Sequence, residues 1–486
     1  MNQRDVIELD TALKTRLQEI LEDRVTAMNC PSIFASLFQG TNVLMQAGVG
    51  ESHSGAGAPG PETAYRIASC SKSFTAAMLL ILRDRGLVNL DAPITDFVPE
   101  FTQAPLGHAY DPPTVRMFMS MSGGLPTDDP WADRQESISN EALREVVSQG
   151  VLLTTPPGTT FQYSNLGYAL LGQVIEEVSG RGFCDLVTEE ILRPLQLHDT
   201  GYEKDAVTPG RLAHGYRKSA PGWLELPFSD PGAFSCIGGL FASASDLAKW
   251  VGWLSSALSD EPDEAGPLSI ASRREMQQVV TAIPQGADIA ALARHASRNF
   301  GYGFGLISER DEKWGQFVSH SGGYPGFSSH MRWHAATGLG VVVLENGTYS
   351  GATQTGALLI DEILDDLDFQ QSATTAWEMT EELARHATTL IQHWDEELAA
   401  RIFEENVNLD IPFDERQAEI RRLIHVVGGL NEAEYPHLLE RKSSTPLHLD
   451  WTVPGAHGAL RCQIRLSPKV PSLIQTFQVT LAEPRD

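Results

Sequence analysis

Ser69 and Lys72 form the single Ser-x-x-Lys pair of the sequence, and this spacing can support nucleophilic catalysis. The residues that follow, 74–82, are apolar nearly all round, which is typical of a helix buried on every side. Residues three apart share one face of a helix, so the amine can point at the hydroxyl. Burial lowers the pKa of a lysine, by up to ~3–5 units, and a neutral amine can take the proton of a weakly nucleophilic serine. The spacing therefore predicts a nucleophile with its base; in the alternative interpretation, Ser69 only caps the helix.

A second candidate stands at Tyr163-Ser164-Asn165, immediately before a helix predicted over 166–178. In the functional interpretation, Tyr163 presents its phenol beside Ser69. In the structural interpretation, Ser164 or Asn165 caps the helix. The residues alone leave both interpretations open.

Other groups near these motifs receive structural interpretations. Cys70 is predicted to be a small packed residue rather than a second nucleophile. Asp128 and Asp129 are predicted to be solvated carboxylates of a loop. The segment 55–60 has the formal glycine pattern of a dinucleotide site, but no helix opens from it and no βαβ unit surrounds it, so we reject that function.

The composition excludes several classes of partner. The chain of 486 residues carries 36 Lys and Arg against 63 Asp and Glu, a formal net charge of −27. Nucleic acids and anionic membranes bind basic patches, so neither is expected as a partner. The N-terminal stretch lacks the apolar core of a signal peptide, and no run of ~18 apolar residues marks a membrane span. Five scattered cysteines without a CxxC pair indicate reduced thiols and argue against a zinc site. We therefore expect a cytoplasmic protein that needs no metal or other cofactor.

Hydrophobic patterns predict an α+β protein with two domains. A change of pattern near residues 365–375 sets the boundary, with one domain over 1–370 and a small α+β domain of unknown role over 371–486. The elements predicted for the first domain are a helix over 4–29, strands over 32–38, 43–50, 317–320, 328–333 and 340–345, and a closing helix over 351–367. The elements predicted for the second are helices over 376–405 and 413–430 and strands over 447–453, 459–466 and 474–481. The second domain carries no catalytic motif, and we expect it to serve dimerisation or to cover part of the cleft.

Three motifs occur in one order along the chain: Ser69-x-x-Lys72, Tyr163-x-Asn165 and His320-Ser321-Gly322. With the segments SGGLP (122–126) and PPGTTFQYSNLGYALLG (156–172), this order resembles the serine β-lactamase-like family, which includes penicillin-binding proteins, class C β-lactamases, D-aminopeptidases and carboxylesterases. The resemblance covers roughly residues 5–368 and omits the C-terminal domain. It implies a β-lactamase-like α/β sandwich: a five-stranded antiparallel sheet flanked by helices, an inserted all-helical part, and the nucleophile at the floor of the cleft between them.

The resemblance also implies a role for each site residue. Ser69 attacks a carbonyl group and forms an acyl-enzyme, while Lys72 and Tyr163 share proton transfer. Which of the two is the base stays open, because strongly coupled groups titrate as a unit. Asn165 orients Lys72 and hydrogen-bonds the substrate amide. The backbone N–H groups of Ser69 and Gly323 form the oxyanion hole.

The third motif departs from the Lys-Thr-Gly of many β-lactamases. His320, expected to bind substrate together with Ser321, Gly322 and Gly323, is mostly neutral at pH 7 and holds a carboxylate less firmly than lysine does. Some D-aminopeptidases of the family carry histidine here. We therefore expect a peptidase, amidase or carboxylesterase that acts on a small molecule or short peptide. A β-lactamase or penicillin-binding protein is one alternative, a non-catalytic binding protein is another, and a homodimer is compatible with each.

Overall fold

A computed structural model describes residues 6–104, 109–259, 261–284, 299–369, 374–430 and 443–482. The chain divides into two compact units, residues 1–370 and 371–486. All the candidate site residues lie in the first unit. No helix within the described ranges has the length and apolar character needed to cross a membrane.

The main sheet of the first unit is antiparallel and wider than the sequence predicts. The strands of this unit are β1 (Ser32–Gln39), β2 (Asn42–Gly50), β3 (Ala64–Arg66), β4 (Thr200–Gly201), β5 (Tyr216–Ser219), β6 (Gly222–Glu225), β7 (Phe241–Ser243), β8 (Thr281–Ile283), β9 (Asn299–Tyr302), β10 (Ile307–Asp311), β11 (Gly315–Tyr324), β12 (Phe327–His334) and β13 (Leu339–Glu345). In the described residues, eight of them form one sheet in the order β2-β1-β13-β12-β11-β10-β9-β8. The first five in this order lie where strands are predicted. The last three are short or polar, and only the strand-like segment 301–306 points to one of them, so the expected count of five is too low.

Helices cover both faces of this sheet and fill the middle of the chain. They are α1 (Thr11–Thr26), α2 (Lys72–Asp84), α3 (Val115–Met119), α4 (Asp129–Ala132), α5 (Asn140–Ser148), α6 (Asn165–Ser179), α7 (Phe183–Val187), α8 (Ser235–Gly238), α9 (Ala244–Ser256), α10 (Ile270–Met276) and α11 (Ala352–Asp366). Shorter turns of helix lie at Ala68–Ser71, Ile94–Asp96, Thr188–Leu192 and Lys204–Ala206. The N-terminal helix begins later than predicted because Asp10 caps it, accepting the N–H of Leu13.

Alternate residues of β1 pack on opposite faces of the sheet, as a strand requires. Ile33 and Leu37 join α1 and α11 in one core, on the side that we call the α11 face. Phe34 and Phe38 join α2 and α9 in the other core, on the side that we call the α2 face. Helix α2 is buried over all of residues 72–82, which confirms the prediction of a helix enclosed on every side. The candidate nucleophile therefore stands at the start of the most enclosed helix of the unit.

The second unit has its own core. It consists of helices α12 (Glu378–Gln392), α13 (Glu396–Ile402), α14 (Glu405–Asp410) and α15 (Phe413–Val426) and strands β14 (His448–Gly455), β15 (Gly458–Leu466) and β16 (Ile474–Leu481). The strands form an antiparallel sheet in sequence order and lie where predicted. The helix predicted over 376–405 is interrupted, because His393 leaves the helical conformation and Asp395 caps a new helix. Trp451, fully buried on β14, donates its indole N–H to Thr388 of α12 at 3.0 Å.

Candidate active site

Ser69 lies where strand β3 turns into helix α2. The turn Ala68–Ser71 runs directly into α2 and is buried throughout. Ala68 has a φ of +48°, a left-handed conformation that residues other than glycine rarely adopt. The turn leaves 8% of the Ser69 surface exposed, against 0% for Lys72. A substrate can therefore reach the hydroxyl but not the amine behind it.

Lys72 contacts Ser69 directly. Its Nζ donates to Ser69 Oγ at 2.9 Å and to the backbone oxygen of Ile237 at 3.1 Å. Burial lowers the pKa of Lys72, although the negative charge of nearby Asp129 acts in the opposite direction. No carboxylate of the described residues makes an ion pair with this ammonium. The spacing of three residues thus produces a hydroxyl and a buried amine in contact.

Tyr163 reaches the same point from the inserted helical part. Its neighbour Ser164 caps α6 by accepting a backbone N–H of the first turn, so that structural prediction is also correct. Lys72 Nζ lies 5.1 Å from the centroid of the Tyr163 ring. Burial raises the pKa of Tyr163 well above its usual range, and a hydrogen bond with Ser69 offsets only part of the rise. The phenol is therefore neutral at pH 7 and adjacent to both other groups.

Asn165 is fully buried at the start of α6 and is held by a carboxylate. Its Nδ2 donates to Asp129 Oδ1 at 2.5 Å, and its Oδ1 has no hydrogen-bond partner in the described part of the chain. Asn165 is expected to orient Lys72, but no direct hydrogen bond joins the two side chains in the described residues. A buried acceptor without a partner is costly, so this oxygen is suited to accept a donor from a bound substrate.

Asp128 and Asp129 line the site, and the prediction that they are solvated loop carboxylates is wrong. Asp128 accepts the backbone N–H groups of Asn165 at 2.7 Å and Leu166 at 2.9 Å. The first N–H groups of a helix lack partners within it, and the helix dipole attracts negative charge there. Burial raises the pKa of Asp128 above its ordinary value. With Asp133, which follows α4, these residues form a group that we call the acidic wall (Asp128, Asp129 and Asp133).

His320 is 2% exposed, and both of its ring nitrogens are occupied. Nδ1 lies 2.7 Å from the carbonyl oxygen of Ser321, and Nε2 lies 3.1 Å from the phenol oxygen of Tyr302. Since a carbonyl can only accept, Nδ1 carries the proton and Nε2 accepts from Tyr302. Burial, assisted by the positive charge of Lys72, lowers the pKa of His320 to about 3. The imidazole is therefore neutral near pH 7 and offers no charge to a carboxylate.

Ser321 points to the opposite face of the sheet. Successive side chains of a strand alternate between faces, and His320 takes the α2 face, with its ring centroid 6.4 Å from that of Tyr163. Ser321 Oγ instead lies 2.9 Å from Nδ1 of His330, which packs against Gly356 of α11. Ser321, which is expected to bind substrate, therefore does not present its side chain to the face that carries His320.

Gly322 and Gly323 are glycines because neighbouring atoms fill the place of a side chain. A methyl group on Gly322 would lie 2.3 Å from the backbone oxygen of Ile67 and 2.9 Å from Ala68 Cβ. A methyl group on Gly323 would lie 2.3 Å from Cδ1 of Tyr349. Gly322 thus lets β11 touch the turn that carries Ser69, and Gly323 lets an aromatic ring lie on the strand.

One edge of β11 is open beside this turn. Strand β10 pairs with β11 only over residues 315–319, whereas β12 pairs with it as far as Tyr324. In the described ranges no strand pairs with residues 320–323 on the open edge. The backbone groups on this edge therefore have no strand partner, among the described residues, beside the turn of Ser69.

Three residues of the site carry no signal in the sequence. Tyr302 binds His320 from 18 positions away, and Tyr349 donates to Asp133 across 216 positions. Burial raises the pKa of Asp133 to about 7. Only the folded topology brings these segments together, so no local pattern could have found them.

Cys70 is a buried and packed thiol, as the sequence predicts. Its Sγ donates to the backbone oxygen of His320 at 3.3 Å, and burial raises the pKa of the thiol to about 12. It is therefore not ionised at neutral pH. The ranges that the structure describes contain no group of His, Cys, Asp and Glu side chains able to hold a metal ion.

Comparison with known proteins identifies the family. A family model described as Beta-lactamase matches residues 17–365, which is well over half of the chain. The chain belongs to the beta-lactamase family. Within this family, Protein flp of Staphylococcus aureus (strain NCTC 8325 / PS 47) is 27% identical over 293 residues, 59% of this chain and 53% of that protein. The chain thus spans about half the length of the curated relatives it matches.

Solved structures share the beta-lactamase fold. An octameric penicillin-binding protein homologue from Pyrococcus abyssi matches with a TM-score of 0.62 and 20% identity, over 96% of this chain and 99% of that one. A D-stereospecific amidohydrolase from Streptomyces sp. matches with a TM-score of 0.58 and 23% identity, over 73% and 98% respectively. The family match and these neighbours together show the beta-lactamase fold.

Proposed function

We propose that this member of the beta-lactamase family hydrolyses an amide or ester through an acyl-enzyme on Ser69, as a peptidase, amidase or carboxylesterase. The observation that carries the proposal is the 2.9 Å hydrogen bond between Lys72 Nζ and Ser69 Oγ. Ser69 Oγ attacks the carbonyl carbon, and its proton passes through Lys72 and Tyr163 to the leaving amine or alcohol. Water then attacks the acyl-enzyme, returns a proton to Ser69 and releases the acid.

Two pKa directions support Lys72 as the base of the free enzyme. Burial lowers the pKa of Lys72, which favours the neutral amine that can accept a proton. Burial raises the pKa of Tyr163, which disfavours the phenolate. Tyr163 then acts as the neutral relay to the leaving group. On this basis kcat/KM rises with pH through a value below the ordinary lysine pKa of 10.5.

Backbone and amide groups complete the proposed machinery. The N–H groups of Ser69 and Gly323 are the proposed oxyanion donors, since Gly323 lies on the open edge of β11 beside the turn of Ser69. Each such donor can contribute ~2.7–4 kcal/mol to transition-state stabilisation. The unpartnered Oδ1 of Asn165 is the proposed acceptor for an N–H of the substrate.

The charges around the site favour neutral or cationic substrates. His320 is uncharged and both of its ring nitrogens are engaged, so it cannot pair with a substrate carboxylate. The acidic wall supplies no positive charge to hold that carboxylate. β-Lactams and peptides with a free C-terminus carry such a group, which supports an amidase, aminopeptidase or carboxylesterase over a β-lactamase. The D-stereospecific amidohydrolase from Streptomyces sp. has a name consistent with this substrate class.

Covalent labelling tests the nucleophile. Wild-type protein, S69A and C70A are incubated with a fluorophosphonate probe, and intact mass is measured. We expect one adduct on wild type and on C70A, and none on S69A. Labelling of S69A, or no labelling of a folded wild type, would reject Ser69 as the activated nucleophile and favour a binding protein on the same fold.

A substrate panel tests the class. It contains p-nitrophenyl esters, D- and L-aminoacyl anilides and a chromogenic cephalosporin. We expect the neutral esters or the aminoacyl anilides, which carry a free ammonium group, to exceed the cephalosporin in kcat/KM by at least about 100-fold. Preferential turnover of the cephalosporin would instead support the β-lactamase alternative.

Self-association is a second part of the proposal. The homologue from Pyrococcus abyssi that matches 96% of this chain is described as octameric. We propose that residues 371–486 contribute to assembly of this chain as well. Light scattering on the full chain and on residues 1–370 measures the mass of each; equal numbers of subunits would reject this role.

A further inference from the structure

Tyr349 and Asp133 connect the two halves of the cleft. Tyr349 follows β13 in the turn before α11, and Asp133 follows α4 in the inserted helical part. The phenol of Tyr349 donates to Asp133 Oδ2 at 2.5 Å. Tyr349 is 48% exposed whereas Asp133 is 5% exposed, so a surface side chain is tied to a buried carboxylate.

The ring of Tyr349 lies directly on the strand that borders the reacting atoms. A methyl group on Gly323 would lie 2.3 Å from Cδ1 and 2.6 Å from Cε1 of the ring. Gly323 belongs to the open edge of β11, beside the turn of Ser69. The ring therefore covers β11 at Gly323, next to the open edge.

Asp133 accepts the hydrogen bond of Tyr349 from the inserted helical part. Its charge acts on Lys72, and it belongs to the acidic wall together with Asp128 and Asp129. The hydrogen bond between Tyr349 and Asp133 thus connects the part of β11 at Gly323 with the acidic wall near Lys72. A substrate group that extends along the open edge meets this bond.

The backbone conformation of Tyr349 indicates that surrounding contacts hold its ring in place. Tyr349 has a φ of +46°, a conformation that side chains other than glycine rarely adopt. Such a conformation persists where surrounding contacts hold it, and here the contacts are Gly323 beneath the ring and Asp133 at the phenol. A half-exposed tyrosine held in this way does not serve core packing.

We infer that Tyr349, held by Asp133, sets the size limit of the substrate group that lies against Gly323, so that the site prefers short acyl groups. The inference rests on the proposed function, because the proposed oxyanion hole is what puts the acyl group at Gly323. Removal of the ring opens the edge and admits longer acyl chains.

Chain-length selectivity tests the inference. Hydrolysis of p-nitrophenyl acetate and octanoate is measured for wild type, Y349G, Y349F, D133N and the control L87A, which alters an exposed apolar residue after α2. Glycine suits the φ of position 349, so Y349G removes the ring without imposing strain. We expect the octanoate-to-acetate ratio of kcat/KM to rise at least tenfold in Y349G, less in Y349F and D133N, and not at all in L87A. An unchanged ratio in Y349G would overturn the inference. An unchanged ratio in both Y349F and D133N would overturn the part assigned to Asp133.

Binding to an inactive form separates this inference from the proposed function. Octananilide and acetanilide are titrated calorimetrically into S69A and S69A/Y349G. We expect octananilide to bind the double variant at least tenfold more tightly than S69A, with a smaller change for acetanilide. Equal affinities for octananilide would overturn the size limit whatever the activity of Ser69. A tenfold difference with an unlabelled wild type would uphold the size limit and reject the proposed hydrolase.

Discussion

Two buried basic side chains lie on opposite faces of one sheet, and the protein surrounds them differently. Lys72, on the α2 face, hydrogen-bonds only to a hydroxyl and a carbonyl oxygen among the described residues. Arg332 of β12, on the α11 face, forms ion pairs with Glu309 and Asp361 and lies 4.1 Å from the centroid of the Phe317 ring. Both side chains are 0% exposed.

Under the proposed function, the difference separates a catalytic base from a structural cation. A buried ammonium without a carboxylate in contact loses its proton more easily, which is what catalysis by a base requires. An arginine keeps its charge under all ordinary conditions, and in a paired cluster it holds two carboxylates in place. The same burial therefore supports chemistry on one face and stability on the other. Four experiments test this contrast, beginning with the largest expected effect.

Replacement of Lys72 by methionine should remove activity and spare stability. We expect kcat/KM to fall at least ~10³-fold, because no base remains beside Ser69. The free energy of unfolding should stay within ~1 kcal/mol of wild type, since the loss of contacts is offset by removal of a costly buried amine. Ester hydrolysis and urea denaturation measure the two quantities, with K249M as the exposed-lysine control. Retained activity together with a large loss of stability would show that Lys72 is a structural residue and not the base.

Replacement of Arg332 by methionine should lower stability and spare the reactivity of Ser69. We expect the free energy of unfolding to fall by ~3–5 kcal/mol, because Glu309 and Asp361 each lose a buried ion-pair partner. The folded fraction should still label at Ser69 at the wild-type rate. The matched control is R422M, which breaks an exposed pair with Glu419 and should cost below ~1 kcal/mol. Urea denaturation measures the free energy of unfolding of both variants. Equal losses in R332M and R422M would show that Arg332 has no special structural role.

Replacement of Tyr163 by phenylalanine sharpens the assignment of the base. We expect kcat/KM to fall ~10²-fold through loss of the proton relay. The rise of kcat/KM with pH should persist, because the titrating group is Lys72, whose pKa is lowered by burial. A pH–rate profile of Y163F measures both effects. Loss of the rising limb would show instead that the phenol is the group that titrates.

Replacement of Asp133 by asparagine should change the pH dependence of stability near the reactive cation. Burial raises the pKa of Asp133 to about 7 from 3.8, so between these values the folded state holds a proton that the unfolded state has released. This contribution to stability is complete below pH ~4 and is lost as pH rises to ~7, at up to ~1.4 kcal/mol per pH unit. We therefore expect wild type to lose stability relative to D133N as pH rises from 4 to 7. Urea titrations across this range measure the difference, and parallel curves would contradict it.

The sequence predicts the parts of the site that depend on local geometry. Ser69 and Lys72 lie on one helix, where a spacing of three residues dictates contact, and Tyr163 stands at a recognisable helix start. The strands of the central sheet follow from their apolar runs. The family follows from the order of the three motifs and is confirmed by the match over residues 17–365.

What the sequence cannot predict depends on register and on distant contacts. Whether Ser321 or His320 faces the cleft is decided by the pleat of β11, which a three-residue motif does not specify. Asp128 looks like a loop carboxylate because the helix that it caps begins 37 positions later. Tyr349 meets Asp133 only after the inserted helical part has folded against the sheet.

The burial of Cys70 has a consequence for oxidative chemistry. Burial raises the pKa of all five cysteine thiols of the chain (Cys30, Cys70, Cys184, Cys236 and Cys462). Oxidants and alkylating reagents attack the thiolate, so these side chains react slowly at neutral pH. The residue beside the nucleophile therefore does not compete with it for electrophiles. Hydrogen peroxide and iodoacetamide should leave a serine-dependent activity intact.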